Sequence, residues 1–311
     1  MPGAYAHITL VNIAKETRRL DAVPGFPTAA KAAIQRHFKF CELGAVSPDY
    51  PYLAVTDSKA KAWADLMHYK KNGDLVKQGV ELVRAMPAEQ RGKAFVWLAG
   101  FTAHVVADVT IHPVVELKVG DYAKNKTAHS ICEMHQDAYI FDRLNLGPLG
   151  LSEHLDSGIW ACCSAPNSGI VDPAVSGLWS RMLETCHPST FKENTPNIDQ
   201  WHKAFRLMVD KIGEEGNKLL PLARHIAVDC GLTYPAKKDI ESQYIKALKT
   251  PQGTMDYDAI FDKAINNVIG IWRSIAGGIF NGENAYQSAI GNWNLDTGRD
   301  ENNKLIFWDK S

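Results

Sequence analysis

The sequence predicts an all-α protein, and two observations carry the prediction. Apolar residues recur at three- and four-residue intervals through most of the chain, which is the period of a helix with one buried face. Alternating strand-like runs flanked by hairpin turns are absent. In chain order, the expected helices of the first half are ITLVNIAKETRRL (8–20), 28–40, 58–71, 74–86, 90–119 and 124–142. Those of the second half are 173–186, 198–215, 217–230, 237–249 and 256–280. The last carries Ile260, Phe261, Ala264, Ile265, Val268, Trp272, Ile275 and Ile279 on one stripe, a pattern that faces the core in most globular helices. Segments 143–172, 187–197 and 281–311 are rich in turn-forming residues and read as irregular.

Composition narrows the function. The chain has 311 residues, 45% hydrophobic and 22% charged, with a formal net charge of −1. That balance excludes a global electrostatic pull toward nucleic acid or anionic membrane. The start, MPGAYAHITLVNIAKETRRL, lacks a basic stretch followed by a long apolar one. No secretory signal is read, and the protein is expected to be cytoplasmic as synthesised, with a signal-independent export route left open. No run of about 18 apolar residues is seen, so no spanning helix is expected. Cys41, Cys132, Cys162, Cys163, Cys186 and Cys230 show no CxxC spacing and are expected to be reduced.

One stretch interrupts the apolar pattern. FTAHVVADVTIHPVV (101–115) holds His104, Asp108 and His112, spaced four apart in an otherwise core-like helix. Four residues is about one helical turn, so the three side chains share a face. A buried, unpaired carboxylate is costly, and imidazole with carboxylate on one helical face suits zinc. The alternative is a hydrogen-bonded His–Asp–His ladder that fixes packing alone. Pro113 is the first residue expected to end or bend the run.

Zinc takes about four donors, and further candidates lie nearby in sequence. HSICEMHQD places His129 and Glu133 one turn apart, with Asp137 a turn beyond. WADLMHY puts His68 on a helix, GAVSPDYP puts Asp49 in a turn, and PGAYAH puts His7 near the chain start. Asp137 is read either as orienting a ligand imidazole or as a surface carboxylate. His135 is offset from the His129/Glu133 face and is left out. His37, His154, His187, His202 and His225 match nothing and are read as structural or exposed. No GxSxG elbow or P-loop appears.

Taken in order, His7, GAVSPD, MHY, HVVADVTIHP and HSICEMHQD resemble the zinc-dependent phospholipase C family over roughly the first 140 residues. That family is related to glycosylphosphatidylinositol-specific phospholipase D and to the zinc-dependent single-strand nucleases. The resemblance implies an all-α helical bundle with two to three Zn2+ ions in a cleft. It also implies that Asp49, His68, His104 and Asp108 hold one ion, and that His112, His129 and Glu133 hold a second. His7, a bridging Asp108, and the amine and carbonyl of Met1 or Pro2 would hold the third. Asp49 would also be catalytic, orienting or deprotonating the attacking water. The interval of four from Asp108 to His112 is longer in the secreted branches, and their N-terminal tryptophan is missing here.

The implied activity is zinc-dependent hydrolysis of a phosphodiester. The leading reading is a phospholipase of C type, or of D type, acting on glycerophospholipid head groups with transient membrane-surface contact. The alternatives are a nuclease or other phosphodiesterase, and a non-catalytic zinc-stabilised interaction protein. Basic clustering near the motifs is absent, so no stable nucleic-acid binding is expected. A single domain over 1–311 is expected, with the metal-binding core in 1–142 and a helical elaboration in 143–311.

Overall fold

Pro87 opens and Gly120 closes the longest helix of the computed structural model, Ala88–Val119. Pro87 sits where no intrahelical N–H is needed, and Glu89 in the first turn complements the helix dipole. Gly120 leaves the helix at φ 88°, which glycine adopts without strain. The structure describes residues 3–54, 57–145, 158–165, 168–214 and 234–308.

Before this helix come α1 (Ala4–Ala14), α2 (Thr17–Asp21), α3 (Thr28–His37), α4 (Lys39–Val46), α5 (Tyr50–Leu53), α6 (Ala60–Tyr69) and α7 (Asn72–Ala85). The long helix is α8, and α9 (Lys126–Phe141) follows it. Then come α10 (Pro173–Cys186), α11 (Pro188–Glu193), α12 (Ile198–Glu214), α13 (Tyr257–Ala276) and α14 (Ala285–Ala289). One buried apolar cluster includes residues from Ala4 to Trp308. By length and hydropathy α8 would cross a bilayer, but its apolar window is wholly buried inside the protein. Its apolar character is that of a central core helix.

α4 and α8 cross at two glycines. A Cβ on Gly44 would lie 2.1 Å from the Trp97 carbonyl oxygen, and one on Gly100 would lie 2.1 Å from that of Cys41. Only hydrogen fits between these backbones. This crossing brings the end of α4 beside His104, and the chain then turns through Ser47–Asp49 to deliver Asp49. Ser47 is held there by the Trp97 indole, whose Nε1–H donates to Ser47 Oγ at 3.0 Å.

The structure departs from the sequence reading in several places. The 8–20 helix begins at Ala4 and breaks after Ala14, because Glu16 turns extended at ψ 125° to open α2. The 28–40 helix stops at His37, and a separate α4 runs on to Val46. Pro113 does not end α8, which continues to Val119. Residues 237–249 are not helical: two short 3-10 turns, Lys237–Asp239 and Ser242–Tyr244, lead into strand β1 (Leu248–Thr250). β1 pairs antiparallel with β2 (Gly253–Met255) around the Pro251–Gln252 turn. Ile240, Tyr244, Ile245 and Leu248 mimic helical spacing, but the PQG turn with Gly253 at φ 126° closes a hairpin instead.

The tail expected to be irregular holds α14 and a second antiparallel pair, β3 (Trp293–Asn294) with β4 (Arg299–Asp300). The absence of strands was therefore misread for two short hairpins. Within 187–197, Pro188 at a helix start opens α11. The expected helix 217–230 lies outside the described residues.

Candidate metal centre

Five elements deliver the candidate ligands to one place. α1 supplies His7, the Ser47–Asp49 turn supplies Asp49, α6 supplies His68, α8 supplies His104, Asp108 and His112, and α9 supplies His129 and Glu133. All eight are buried, none more than 4% exposed. They form three groups of mutually close donor atoms, each within 4.8 Å: His7, His104 and Asp108; Asp49, His68 and His104; and His112, His129 and Glu133. Met1 and Pro2 lie outside the described residues. Asp108 sits with His7, as the resemblance implied, but the grouping differs from that reading in two respects: His104 joins the first two groups, and Asp108 is not part of the Asp49 trio.

The imidazoles are oriented from behind. His68 Nδ1 meets the Ala64 carbonyl at 2.6 Å, and His104 Nδ1 meets that of Ala45 at 2.8 Å. His112 Nδ1 meets the Leu295 carbonyl. A carbonyl only accepts, so each Nδ1 carries the proton, and a neutral ring then presents Nε2 as a bare lone pair. Ala45 lies in the last turn of α4, where carbonyls lack intrahelical donors. His104 satisfies one of them.

The atoms that converge are therefore acceptors. His104 Nε2 lies 3.4 Å from His68 Nε2, and His112 Nε2 lies 3.2 Å from Glu133 Oε1. Asp49 Oδ1 is 3.4 Å from His68 Nε2, and Asp108 Oδ1 is 3.3 Å from His7 Nε2. Among the described residues, neither oxygen of Asp49 or Asp108, nor His7 Nε2, has a hydrogen-bond partner of acceptable geometry. Lone pairs facing one another in a buried site repel unless a cation lies among them. The donor set of imidazoles and carboxylates is the kind zinc takes, so the residues fit the ion.

The electrostatics agree with that fit. Burial pushes His7 down to about 3 and holds His104 well below the usual imidazole range, the latter helped by the neighbouring His7. Both rings are neutral and able to ligate. Burial drives Asp108 well above the usual carboxylate range, a penalty that a divalent cation reverses. Burial opposes ionisation of Glu133 as well, but the neighbouring His129 imidazole holds it well below the usual carboxylate range. The His7 and His104 rings stack at 4.1 Å.

Asp137 does neither of the things the sequence suggested. It is buried, accepts from the Ala6 amide at 3.2 Å and from the Tyr234 hydroxyl at 2.9 Å, and so anchors the start of α1 rather than an imidazole. A Cβ on Gly3 would lie 1.8 Å from its Oδ2. His135 stacks on Tyr244 at 4.7 Å, away from the ligands. His202 is buried between Tyr50 and Cys163, and His154 and His225 lie outside the described residues. Cys41, Cys132, Cys162, Cys163 and Cys186 are free thiols; Cys230 lies outside the described residues. The sequence missed the Ala45 and Leu295 carbonyls, and the Tyr52 and Tyr122 rings, which lie 5.5 Å from His68 and 5.1 Å from His129.

An all-α fold around such a cluster defines a zinc-binding helical protein. The family profile described as zinc dependent phospholipase C matches residues 6–189, and the chain belongs to that family. It is a hydrolase family dependent on zinc, and its name implies a phospholipid substrate. No curated protein and no solved structure matches the chain.

Proposed function

We propose that the protein hydrolyses the phosphodiester of a glycerophospholipid on the glycerol side, in the C-type manner, using two to three zinc ions held by His7, Asp49, His68, His104, Asp108, His112, His129 and Glu133. The observation that supports this most strongly is the convergence of bare imidazole nitrogens on buried carboxylates. His104 offers one lone pair, so it serves a single ion, together with Asp49 and His68. Asp108 has Oδ1 3.3 Å from His7 Nε2 and Oδ2 3.5 Å from His104 Nε2, so its carboxylate would help hold zinc beside either histidine. His112, His129 and Glu133 serve another.

Zinc held there supplies Lewis acidity toward a phosphoryl oxygen and lowers the pKa of water to about 7. Asp49 belongs to a turn, apart from the helical ligands, and neither of its oxygens has a hydrogen-bond partner among the described residues. Its Oδ2 is the atom that orients the attacking water and accepts its proton. The buried helices exclude bulk water from that transfer, and the substrate's lipid chains stay at the membrane surface, which the protein contacts transiently.

The test is an assay of zinc-loaded protein on phosphatidylcholine vesicles and on single-stranded DNA. Diacylglycerol with a phosphorylated head group is the expected product. Phosphatidic acid would make the enzyme D-type, and nucleotide release would make it a nuclease. Asp49→Asn should lower kcat about 100-fold or more, the usual range for a lost general base, while keeping most of its zinc. Wild-type turnover in that variant would remove Asp49 from the chemistry.

A further inference from the structure

We propose that the C-terminal hairpin around Leu295, more than 100 residues beyond the end of the family match at residue 189, is a positioning part of the metal centre that sets the tautomer and aim of His112. This rests on the reading above that His112, His129 and Glu133 hold zinc. Leu295 is fully buried. Its carbonyl accepts the His112 Nδ1 proton, and its own amide donates to the His68 carbonyl at 3.3 Å. One residue of the hairpin thus touches the backbone of one candidate ligand and the ring of another.

The hairpin is fastened on both sides of that residue. Asn72 Oδ1 accepts from the Trp293 amide at 2.9 Å, and Asn72 Nδ2 donates to the Trp293 carbonyl. The Asp74 amide donates to Asn292 Oδ1 at 3.0 Å. On the far side, Gly298 at φ 66° packs so closely that a Cβ would lie 2.5 Å from both the Val109 carbonyl oxygen and Pro113 Cγ. Trp308 Nε1–H donates to the Thr110 carbonyl at 2.7 Å.

These contacts fall where α8 is weakest. Pro113 has no N–H, so the Val109 carbonyl loses its intrahelical donor. The turn that carries His112 is therefore short of internal support, and it is this turn that Gly298 and Trp308 cover. A neutral imidazole has one proton, and without an acceptor at Nδ1 that proton can move to Nε2 and block ligation. The hairpin holds His112 Nε2 deprotonated and directed at Glu133.

A double-mutant cycle on zinc affinity tests this. Gly298→Val should push the turn off Val109 and Pro113. The weakest-bound zinc should then dissociate about 10- to 100-fold more readily, the usual loss for a ligand's orienting partner. Helical circular dichroism should stay at the wild-type level. In a His112→Ala background the same substitution should change zinc affinity no further, because the residue it acts through is gone. Trp308→Phe provides the same cycle with the ring retained, should Gly298→Val fail to fold. Equal zinc affinity in wild type and hairpin variants would overturn the inference, as would an equal loss with and without His112. Less than one zinc per wild-type chain would instead overturn the metal reading beneath it.

Discussion

Asp137 illustrates how one buried carboxylate can carry a measurable pH dependence. Burial raises it to about 7, against hydrogen bonds from Tyr234 and the Gly3 and Ala6 amides that pull the other way. Between about pH 4 and 7 the native protein therefore holds a proton that the unfolded chain releases. This group's contribution to stability is complete below the unfolded pKa and is lost as pH rises through about 7, at a slope of up to roughly 1.4 kcal/mol per pH unit. Asp137→Asn keeps an acceptor for the amides and removes the titration. The difference in unfolding free energy between variant and wild type should grow in favour of the variant as pH rises from about 4 to 7. A difference independent of pH would show that Asp137 stays ionised throughout.

Among the elements, the crossing of α4 and α8 connects packing to chemistry. Replacing Gly100 with alanine should gain up to about 1 kcal/mol of helix propensity. Against that, the new Cβ would meet the Cys41 carbonyl oxygen at 2.1 Å and the Ala45 nitrogen at 2.8 Å. Both are backbone atoms that no rotamer change can move. Overpacking of this kind costs about 1–3 kcal/mol, so the clash outweighs the propensity. The helices must separate, which draws the Ala45 carbonyl away from His104 Nδ1. Gly100→Ala should thus lower the urea midpoint of the zinc-loaded protein and weaken zinc binding together. Unchanged or raised stability would show that the crossing is looser than these distances require.

Over the whole molecule, the candidate ligands were readable because they break a pattern. His104, Asp108 and His112 stand out in an apolar helix, and a four-residue interval maps directly onto one face. His7, Asp49 and His68 carried no such signal alone and became legible only through their order along the chain. What orients the ligands was invisible: the Ala45 and Leu295 carbonyls are backbone atoms with no residue signature, and Leu295 lies 183 residues from His112. The C-terminal hairpins were missed because two- and three-residue strands are too short to show alternation. The central claim is that this buried cluster is a zinc centre, and metal analysis of the purified, zinc-replete protein tests it most directly. The account predicts two to three zinc ions per chain, with Asp108→Ala losing at least one; less than one zinc per wild-type chain would contradict it.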